Sequence, residues 1–192
     1  MIRAVAFDLM DTVVRDPFRE ALEAATGLAL RELLARRDPD VYPAFERGEI
    51  NEDAYWAHYE HAGIDVDPQR FHEVRRAGTR WLPGMPSLLD DLDGVVQRVT
   101  ASNYACWVEQ LAQEVLGDRF DRVLASCHLG VRKPDRDFYL AVLERLELPA
   151  AEVAFVDDRE VNVEGARAVG MPARLFVDAT DLRGWLVELG VL

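Results

Sequence analysis

Residues 4–12 of the chain read Ala-Val-Ala-Phe-Asp-Leu-Met-Asp-Thr, an apolar run that ends at an aspartate, Asp8. A short apolar run bounded by polar residues is typical of a buried strand in a parallel sheet. In open α/β sheets, ligands bind beyond the carboxyl ends of the strands, which is where this aspartate would lie. Asp8 is therefore a candidate site residue, although an aspartate in such a position is more often a helix cap or a turn residue.

Further apolar, β-branched runs follow along the chain, and most of them are succeeded by residues with helical spacing. The pattern predicts strands at residues 4–7, 95–101, 122–125, 153–156 and 173–177, and helices at residues 107–116, 138–146, 161–169 and 182–189. Strands that alternate with helices favour an α/β fold with a Rossmann-like, doubly wound parallel sheet. The carboxyl edge of that sheet would bring together Asp8, Ser102, Asn103, Asp157 and Asp158.

Residues 14–81 interrupt the alternation, because they carry helix signals and no convincing strand. Helix starts are indicated at Asp16-Pro17, Asn51-Glu52-Asp53 and Asp67-Pro68. A hinge would follow at residues 82–84, Leu-Pro-Gly. We therefore expect an α/β core domain of residues 1–13 and 82–192, with a small all-helical cap domain inserted at residues 14–81.

The composition limits the classes of partner. The chain has 192 residues, 49% of them hydrophobic, and a net charge of −13 at pH 7. The negative charge disfavours nucleic acid and anionic membranes as partners, and no apolar run is long enough for a membrane span or a signal peptide. A cytoplasmic protein that acts on a small molecule is the expectation, and the oligomeric state stays open.

Three other stretches bring polar groups to the predicted edge. Ser102-Asn103 follows a strand, where a hydroxyl and an amide more often cap a helix. Lys133 is the only lysine among 22 basic residues, which is either chance or a site that needs a compact ammonium ion. Asp157 and Asp158 are adjacent carboxylates that repel each other unless a proton or a cation separates them. This pair suggests a hard metal ion.

The order and spacing of these elements resemble the haloacid dehalogenase superfamily. Its members share an aspartate after the first strand, a serine or threonine after the second, a lysine, and an acidic pair after a later strand, and the match covers the whole chain. The resemblance implies a hydrolase of a small phosphomonoester in which Asp8 is the nucleophile and forms an aspartyl-phosphate. It further implies that Ser102 and the backbone of Asn103 hold the phosphoryl group, while Lys133 neutralises charge in the transition state.

The same resemblance implies Mg²⁺ as the cofactor. The Asp8 carboxylate, the Met10 backbone carbonyl and Asp158 would hold the ion. Asp157 would bind it directly or orient a water, and Asn162 would support the loop from the following helix.

One position departs from the family pattern. Family phosphatases usually carry a general acid two residues after the nucleophile, and here that residue is Met10. Asp11 comes next, and our hypothesis is that Asp11, or a water that it holds, replaces the missing acid. The alternative is that Asp11 only caps or shapes the loop.

Three stretches near the expected site are similar to a plant chloroplast branch of the superfamily, the flavin mononucleotide (FMN) hydrolases, which also lack the acid. They are residues 11–18, 132–135 and 155–159. FMN is therefore a candidate substrate, with sugar phosphates as alternatives. Trp81, Trp107 and Tyr104 would form a flat slot for a flavin, and Arg15 would contact phosphate or ribityl oxygens unless it forms a surface salt bridge.

Three other interpretations stay open. A haloacid dehalogenase would use Asp8 on carbon without a metal, but that branch carries uncharged residues in place of Asp157 and Asp158. A binding or regulatory protein would have lost its acid at Met10 and yet kept the other site residues. A phosphotransferase would pass the phosphoryl group to an acceptor other than water.

Overall fold

Four short parallel strands form the sheet of the computed structural model, which describes residues 1–192. They are β1 (Ala4–Phe7), β2 (Gln97–Thr100), β3 (Val153–Asp157) and β4 (Ala173–Leu175), in the spatial order β2-β1-β3-β4. Phe7, the last residue of β1, pairs with Thr100 and with Val156. The residues that follow these three strands therefore share one edge, and the predicted parallel α/β sheet is confirmed.

One of the five predicted strands is wrong: residues 122–125 do not form a regular strand. This segment runs parallel to β2 but is joined only by two isolated bridges, from Arg122 to Val99 of β2 and from Ala125 to Ser102 just beyond β2. Between the bridges, the Thr100 hydroxyl donates to the Leu124 carbonyl (2.9 Å) and accepts from the Leu124 N–H (2.8 Å). A side chain thus replaces part of the backbone ladder, and the segment still covers the outer edge of β2.

Eleven α-helices surround the sheet, and none of them combines the length and apolar character needed to cross a membrane. They are α1 (Phe18–Thr26), α2 (Leu30–Arg36), α3 (Val41–Glu46), α4 (Glu52–His61), α5 (Pro68–Gly78), α6 (Met85–Asp91), α7 (Val108–Leu111), α8 (Ser126–Leu129), α9 (Arg136–Leu146), α10 (Glu160–Ala168) and α11 (Ala179–Glu188). The helix predicted at residues 107–116 is α7 followed by a π-helical turn, Ala112–Leu116.

Apolar side chains cover both faces of the sheet. Along β1 they alternate, so that Val5 and Phe7 join an apolar cluster with α6, α7 and α11, whereas Ala4 and Ala6 join a second cluster with α9 and α10. Helices on both faces are the mark of a doubly wound sheet. The predicted fold class is therefore confirmed.

The insertion between β1 and β2 begins with five helices, α1 to α5, and contains no regular strand. As predicted, Asn51 and Asp67 cap their helices, accepting from the Ala54 and Arg70 N–H groups. The first helix starts slightly later than predicted, at Phe18, whose N–H donates to Asp16 Oδ1 (2.8 Å). The all-helical nature of the insertion follows from these local signals.

The predicted cap (residues 14–81) and the predicted core, which we call cap and core below, are joined by two connections that lie side by side. Val14 and Trp81 form an antiparallel bridge, the Leu82 N–H donates to the Val13 carbonyl (3.0 Å), and the Arg15 N–H donates to the Arg80 carbonyl (2.9 Å). The predicted hinge at residues 82–84 thus adjoins a short two-stranded ribbon.

Cap and core share one apolar cluster. Trp107 of the core lies among cap aromatics, with ring centroids 4.8 Å from Phe45 and 4.8 Å from Phe71. The cap is therefore packed onto the core next to the carboxyl edge of the sheet.

Candidate active site

One ammonium group links two carboxylates at the carboxyl edge of the sheet. Lys133 Nζ donates to Asp8 Oδ1 (2.7 Å) and to Asp157 Oδ2 (2.6 Å). Asp8 directly follows β1 and Asp157 ends the neighbouring strand β3, so the sheet brings the two carboxylates together. All three side chains are buried. The only lysine of the chain thus lies where the sequence places the nucleophile.

The electrostatics of this triad follow from its burial. Burial raises the pKa of the Asp8 carboxyl, and the charge of Lys133 opposes that rise. Burial also acts to lower the pKa of Lys133, but attraction to Asp8 and Asp157 outweighs it, so the pKa of the ammonium is raised. Lys133 therefore stays charged at neutral pH, which favours the carboxylate form of Asp8 that a nucleophile requires.

Asn103 holds the backbone of the lysine in place. Its Nδ2 donates to the Lys133 carbonyl (2.9 Å), and its Oδ1 accepts from the Lys133 N–H (2.7 Å). The rings of Phe138 and Phe155 lie beside the ammonium, with centroids 5.8 Å and 5.5 Å from Nζ. The sequence predicts a backbone role for Asn103, whereas the structure adds this side-chain contact, which was missed.

Asp157 is fully engaged by the protein. Its Oδ1 accepts from the Arg159 N–H (2.9 Å) and from Asn162 Nδ2 (2.9 Å), while its Oδ2 contacts Lys133. Asn162 is itself held by the Tyr139 hydroxyl, which donates to its carbonyl (2.7 Å). Of the two predicted tasks of Asp157, these contacts favour positioning over direct ligation of a metal ion.

Asp158 supplies the charge that lacks a partner. Oxygens of Asp8, Asp157 and Asp158 lie within 4.8 Å of one another, and Lys133 contacts only the first two. Burial, reinforced by the charges of Asp8 and Asp157, raises the pKa of Asp158 to about 6. No backbone N–H donates to the Met10 carbonyl, so this oxygen is available too. Hard oxygen donors with an excess of negative charge fit Mg²⁺.

Ser102 and Asp11 flank the nucleophile. Ser102 is buried, and its hydroxyl lies close enough to the Asp8 carboxylate to act against the rise of the Asp8 pKa. Asp11 has a φ of 56°, an uncommon value for a residue with a side chain, and its Oδ1 accepts from the Asp16 N–H (3.0 Å). The Asp11 side chain thus shapes the loop, and it also lines the cavity described next. Its role as an acid stays a prediction.

A cavity of about 310 Å³ lies between the core and the cap. We use the name floor for Asp8, Ser102, Lys133 and Asp158, which line the cavity, together with the buried Asp157, to which Lys133 donates. The cap residues that line the cavity are the cap wall, namely Asp16, Phe18, Tyr42, Glu46 and Arg75. The core contributes further lining residues, among them Tyr104, Trp107, Arg132 and Arg159. The cap-wall residues were not predicted as site residues, since no sequence motif marks which helix face will pack over the sheet.

Two cap-wall carboxyls have unusual surroundings. Burial raises the pKa of Asp16 to about 6, despite the hydrogen bond from Phe18. Burial also raises the pKa of Glu46, against the pull of Arg132, whose Nη2 lies 2.6 Å from Glu46 Oε2. The pair of Glu46 and Arg132 joins the cap to the residue that precedes Lys133.

Two predicted substrate contacts lie outside the cavity lining. Arg15 forms an ion pair with Glu20 and donates to the Gly78 carbonyl (3.4 Å), which is the salt-bridge alternative. Trp81 lies in the linker ribbon with Arg119 over its ring, 5.5 Å from the centroid. Neither residue lines the cavity, and their contacts with a substrate stay predictions.

Tyr104 and Trp107 do line the cavity, but they offer no open flat slot. The guanidinium of Arg75 lies over the Trp107 ring, 5.3 Å from its centroid, and Trp56 stacks beside that ring at 5.9 Å. The Tyr104 hydroxyl accepts a hydrogen bond from Arg75 (3.1 Å). Cap residues thus lie against the Trp107 ring, and the flavin slot stays a prediction.

Comparison of the amino-acid sequence with known families identifies the class of protein that has this fold and site. The family of haloacid dehalogenase-like hydrolases matches residues 2–170, and the chain belongs to this family. The chain is thus an enzyme of the hydrolase class, as the order of its site residues predicted.

Two relatives that are similar to most of this chain are named as a hydrolase and a phosphatase. Flavin mononucleotide hydrolase 1 of Arabidopsis thaliana, a chloroplast protein, is 35% identical over 187 residues, which are 96% of this chain and 76% of that protein. A sesquiterpene phosphatase of Aspergillus oryzae is 34% identical over 160 residues, 80% of this chain and 81% of the relative.

A solved structure supports the fold. A haloacid dehalogenase family enzyme of Bacteroides thetaiotaomicron, crystallised with magnesium and inorganic phosphate, superimposes with a TM-score of 0.81. The alignment covers 95% of this chain and 99% of that one, at 17% identity. This likeness extends over core and cap.

Proposed function

We propose that this chain is a magnesium-dependent phosphomonoesterase that acts through an aspartyl-phosphate on Asp8. The observation that carries the proposal is the bridge from Lys133 Nζ to Asp8 (2.7 Å) and Asp157 (2.6 Å), with the unpaired carboxylate of Asp158 beside it. It combines a nucleophile, a fixed positive charge and a set of oxygen donors at one edge of the sheet. These are the parts that phosphoryl transfer needs.

The floor residues divide the reaction into two steps. A carboxylate oxygen of Asp8 attacks phosphorus, the bond from phosphorus to the ester oxygen breaks, and the leaving alkoxide takes a proton. Water then cleaves the acyl phosphate, which releases inorganic phosphate and restores Asp8. Lys133 and Ser102 stabilise the phosphoryl oxygens in both steps. Mg²⁺, held by Asp8, Asp158 and the Met10 carbonyl, would supply a further positive charge there.

Asp11 is the proton donor in this proposal. It lies three residues after the nucleophile and lines the cavity, where it can reach the leaving oxygen directly or through a water. Asp16 also lines the cavity and has a raised pKa, so it is the competing candidate.

FMN is the first substrate to test, because of the Arabidopsis relative. The cavity of about 310 Å³ is at the small end of the usual range of ligand sites, about 300–1,000 Å³. A full flavin would therefore require the cap to open, whereas a sugar phosphate or another compact phosphoester fits more readily. The cytoplasmic location stays a prediction.

The test is phosphate release by the purified protein from FMN, sugar phosphates and nucleotides, with Mg²⁺ and again with EDTA. We expect turnover that needs the metal and falls by at least about 10⁴-fold in Asp8→Asn, since the nucleophile is lost. Turnover in EDTA, or turnover that survives in Asp8→Asn, would refute the mechanism. Binding of a phosphoester without any turnover would favour a binding protein instead.

A further inference from the structure

The two buried arginines of the chain differ in how their charge is balanced. Arg98 is 6% exposed and lies 2.7 Å from Asp93 and 3.4 Å from Asp121. Arg75 is 5% exposed and has no carboxylate within salt-bridge distance; its partners are the neutral oxygens of Tyr104 (3.1 Å) and Gln110 (2.6 Å). Arginine is almost never buried this deeply without a paired acid. The burial of the Arg75 charge without a paired carboxylate therefore needs an explanation, whereas the burial of the Arg98 charge does not.

The guanidinium of Arg75 also retains unused donors. It has five N–H groups in a planar fork, and its buried Nε has no hydrogen-bond partner. The Tyr104 oxygen accepts from Arg75, so the phenol proton remains free for another acceptor. Arg75 and Tyr104 together thus offer several donors and one positive charge with no anion to receive them.

These donors line the same cavity as the nucleophile. Four cationic side chains line it: Lys133 is used by Asp8 and Asp157, Arg132 is used by Glu46, Arg159 is exposed, and Arg75 is buried without an anionic partner. A second negative charge on a bound molecule would meet Arg75 without displacing any ion pair of the protein.

We propose that Arg75 and Tyr104 form a second anion site, which selects phosphomonoesters that carry a carboxylate or second phosphate at the end remote from the reacting phosphate. The proposal rests on the proposed function for the reacting end of the substrate. A planar guanidinium matches a carboxylate or a phosphate through two parallel hydrogen bonds. The small cavity favours compact molecules of this class over a flavin, whose ring system carries no such charge.

The competing explanation is that Arg75 only attaches the cap to the core. The neighbouring Arg76 serves as a control for that structural role. Arg76, on the same helix α5, pairs with Glu114 (2.9 Å), just as Arg75 contacts Gln110 of the same core segment. Both arginines tie the cap to the core, but Arg76 does not line the cavity. A loss of cap attachment would affect both variants, whereas a loss of the anion site would affect only Arg75.

The test compares matched substrates. Alkyl phosphates and ω-carboxyalkyl phosphates of equal chain length, with two to four methylene groups, are assayed with Mg²⁺ on the wild type, Arg75→Met, Arg75→Lys and Arg76→Met. We expect the wild type to prefer the carboxylate by roughly 10- to 100-fold in kcat/KM at one chain length, the usual strength of hydrogen bonds to a charged group. Arg75→Met should lose this preference and Arg76→Met should keep it. Arg75→Lys, which keeps the charge without the fork, should retain part of it.

Two results would overturn the proposal: no preference by the wild type at any chain length, or a preference that survives in Arg75→Met. The preference is a ratio within one protein, so a general loss of activity does not imitate its disappearance.

A binding experiment separates this proposal from the proposed function. Calorimetry on the metal-loaded Asp8→Asn protein compares an ω-carboxyalkylphosphonate with the alkylphosphonate of the same length, which requires no turnover. Tighter binding of the carboxylate that is lost in Asp8→Asn/Arg75→Met supports the anion site even if the protein hydrolyses nothing. Equal binding of the two phosphonates refutes it even if the phosphatase activity is confirmed.

Discussion

Leaving aside Asp158 on the floor, which has no cation beside it, and Glu46 on the cap wall, which pairs with Arg132, the floor and the cap wall of the cavity differ in how completely their polar groups are paired. On the floor, Asp157 accepts from three donors, and Lys133 contacts two carboxylates while Asn103 fixes its backbone. On the cap wall, Arg75 has no anion and Asp16 is a partly buried carboxyl with a pKa raised to about 6. A cap wall with unpaired groups is completed by what binds there. In our proposal, the floor therefore determines the reaction and the cap wall determines the substrate.

The largest effect is expected from the floor. Lys133→Met leaves Asp8 and Asp157 facing each other without a cation, and breaking a buried ion pair typically costs about 3–5 kcal/mol. Phosphate release should fall by about 10³-fold or more, because a fixed charge at the phosphoryl group is lost. Urea unfolding and phosphate release measure the two effects. If the variant were as stable as the wild type, the floor would not be the paired network described above.

The second prediction asks whether the proton comes from the floor loop or from the cap wall. We expect Asp11→Asn to slow the hydrolysis of an alkyl phosphate by about 10²-fold and that of p-nitrophenyl phosphate only slightly, since a good leaving group needs no acid. Asp16→Asn serves as the matched variant and should show no such dependence on the leaving group. The reverse pattern would assign the acid to the cap wall and would leave Asp11 as a residue that shapes its loop.

The third prediction concerns Asn103, whose side chain makes two hydrogen bonds to the Lys133 backbone. Asn103→Ala should lower kcat by roughly 10- to 30-fold, since each hydrogen bond contributes about 1 kcal/mol to holding the lysine. Asn51→Ala is the control: it removes a helix cap far from the floor, costs about 1 kcal/mol of stability and should leave kcat unchanged. Equal kcat values for the two variants would contradict the positioning role.

The smallest effect is expected from the charge of Asp16. Burial raises the folded-state pKa of Asp16 to about 6 from its ordinary value of 3.8, so ionisation opposes folding. This cost is absent below about pH 4 and is complete above about pH 6. Asp16→Asn should therefore be more stable than the wild type by about 1–2 kcal/mol at pH 7.5, after allowance for solvent screening, and about equally stable at pH 4. Urea unfolding at both pH values tests this. A variant that is less stable than the wild type at pH 7.5 would show that the cap wall is paired as well as the floor is.

The contrast between the floor and the cap wall also explains which site residues could be predicted from the sequence. Asp8, Lys133 and Asp157 lie at or beside strand ends, and parallel strands bring such residues to one edge whatever surrounds them. Arg75 and Glu46 reach the cavity only because helices pack in one particular way, and their spacing resembles that of ordinary surface residues. Trp107 shows the same limit: its position near a strand end suggested a flavin slot, but its packing against the cap was not readable from the chain.

The prediction of a regular strand at residues 122–125 was wrong for a different reason. Its apolar composition is that of a strand, and it does lie along β2, but the Thr100 hydroxyl bonds to Leu124 in place of a regular ladder. Sequence patterns predict which segments are buried side by side more reliably than they predict the hydrogen bonds between them.

The place of the single lysine has a practical consequence for chemical labelling. Lys133 is 2% exposed and bonded to two carboxylates, so the surface of the protein presents no lysine amine. Apart from the N-terminal amine, an amine-directed cross-linker therefore finds its only amine target at the bottom of the cavity, and can react there only after the ammonium has lost a proton. The rate of that modification, read by mass spectrometry, would report how often the cap opens, and a tightly bound substrate should suppress it.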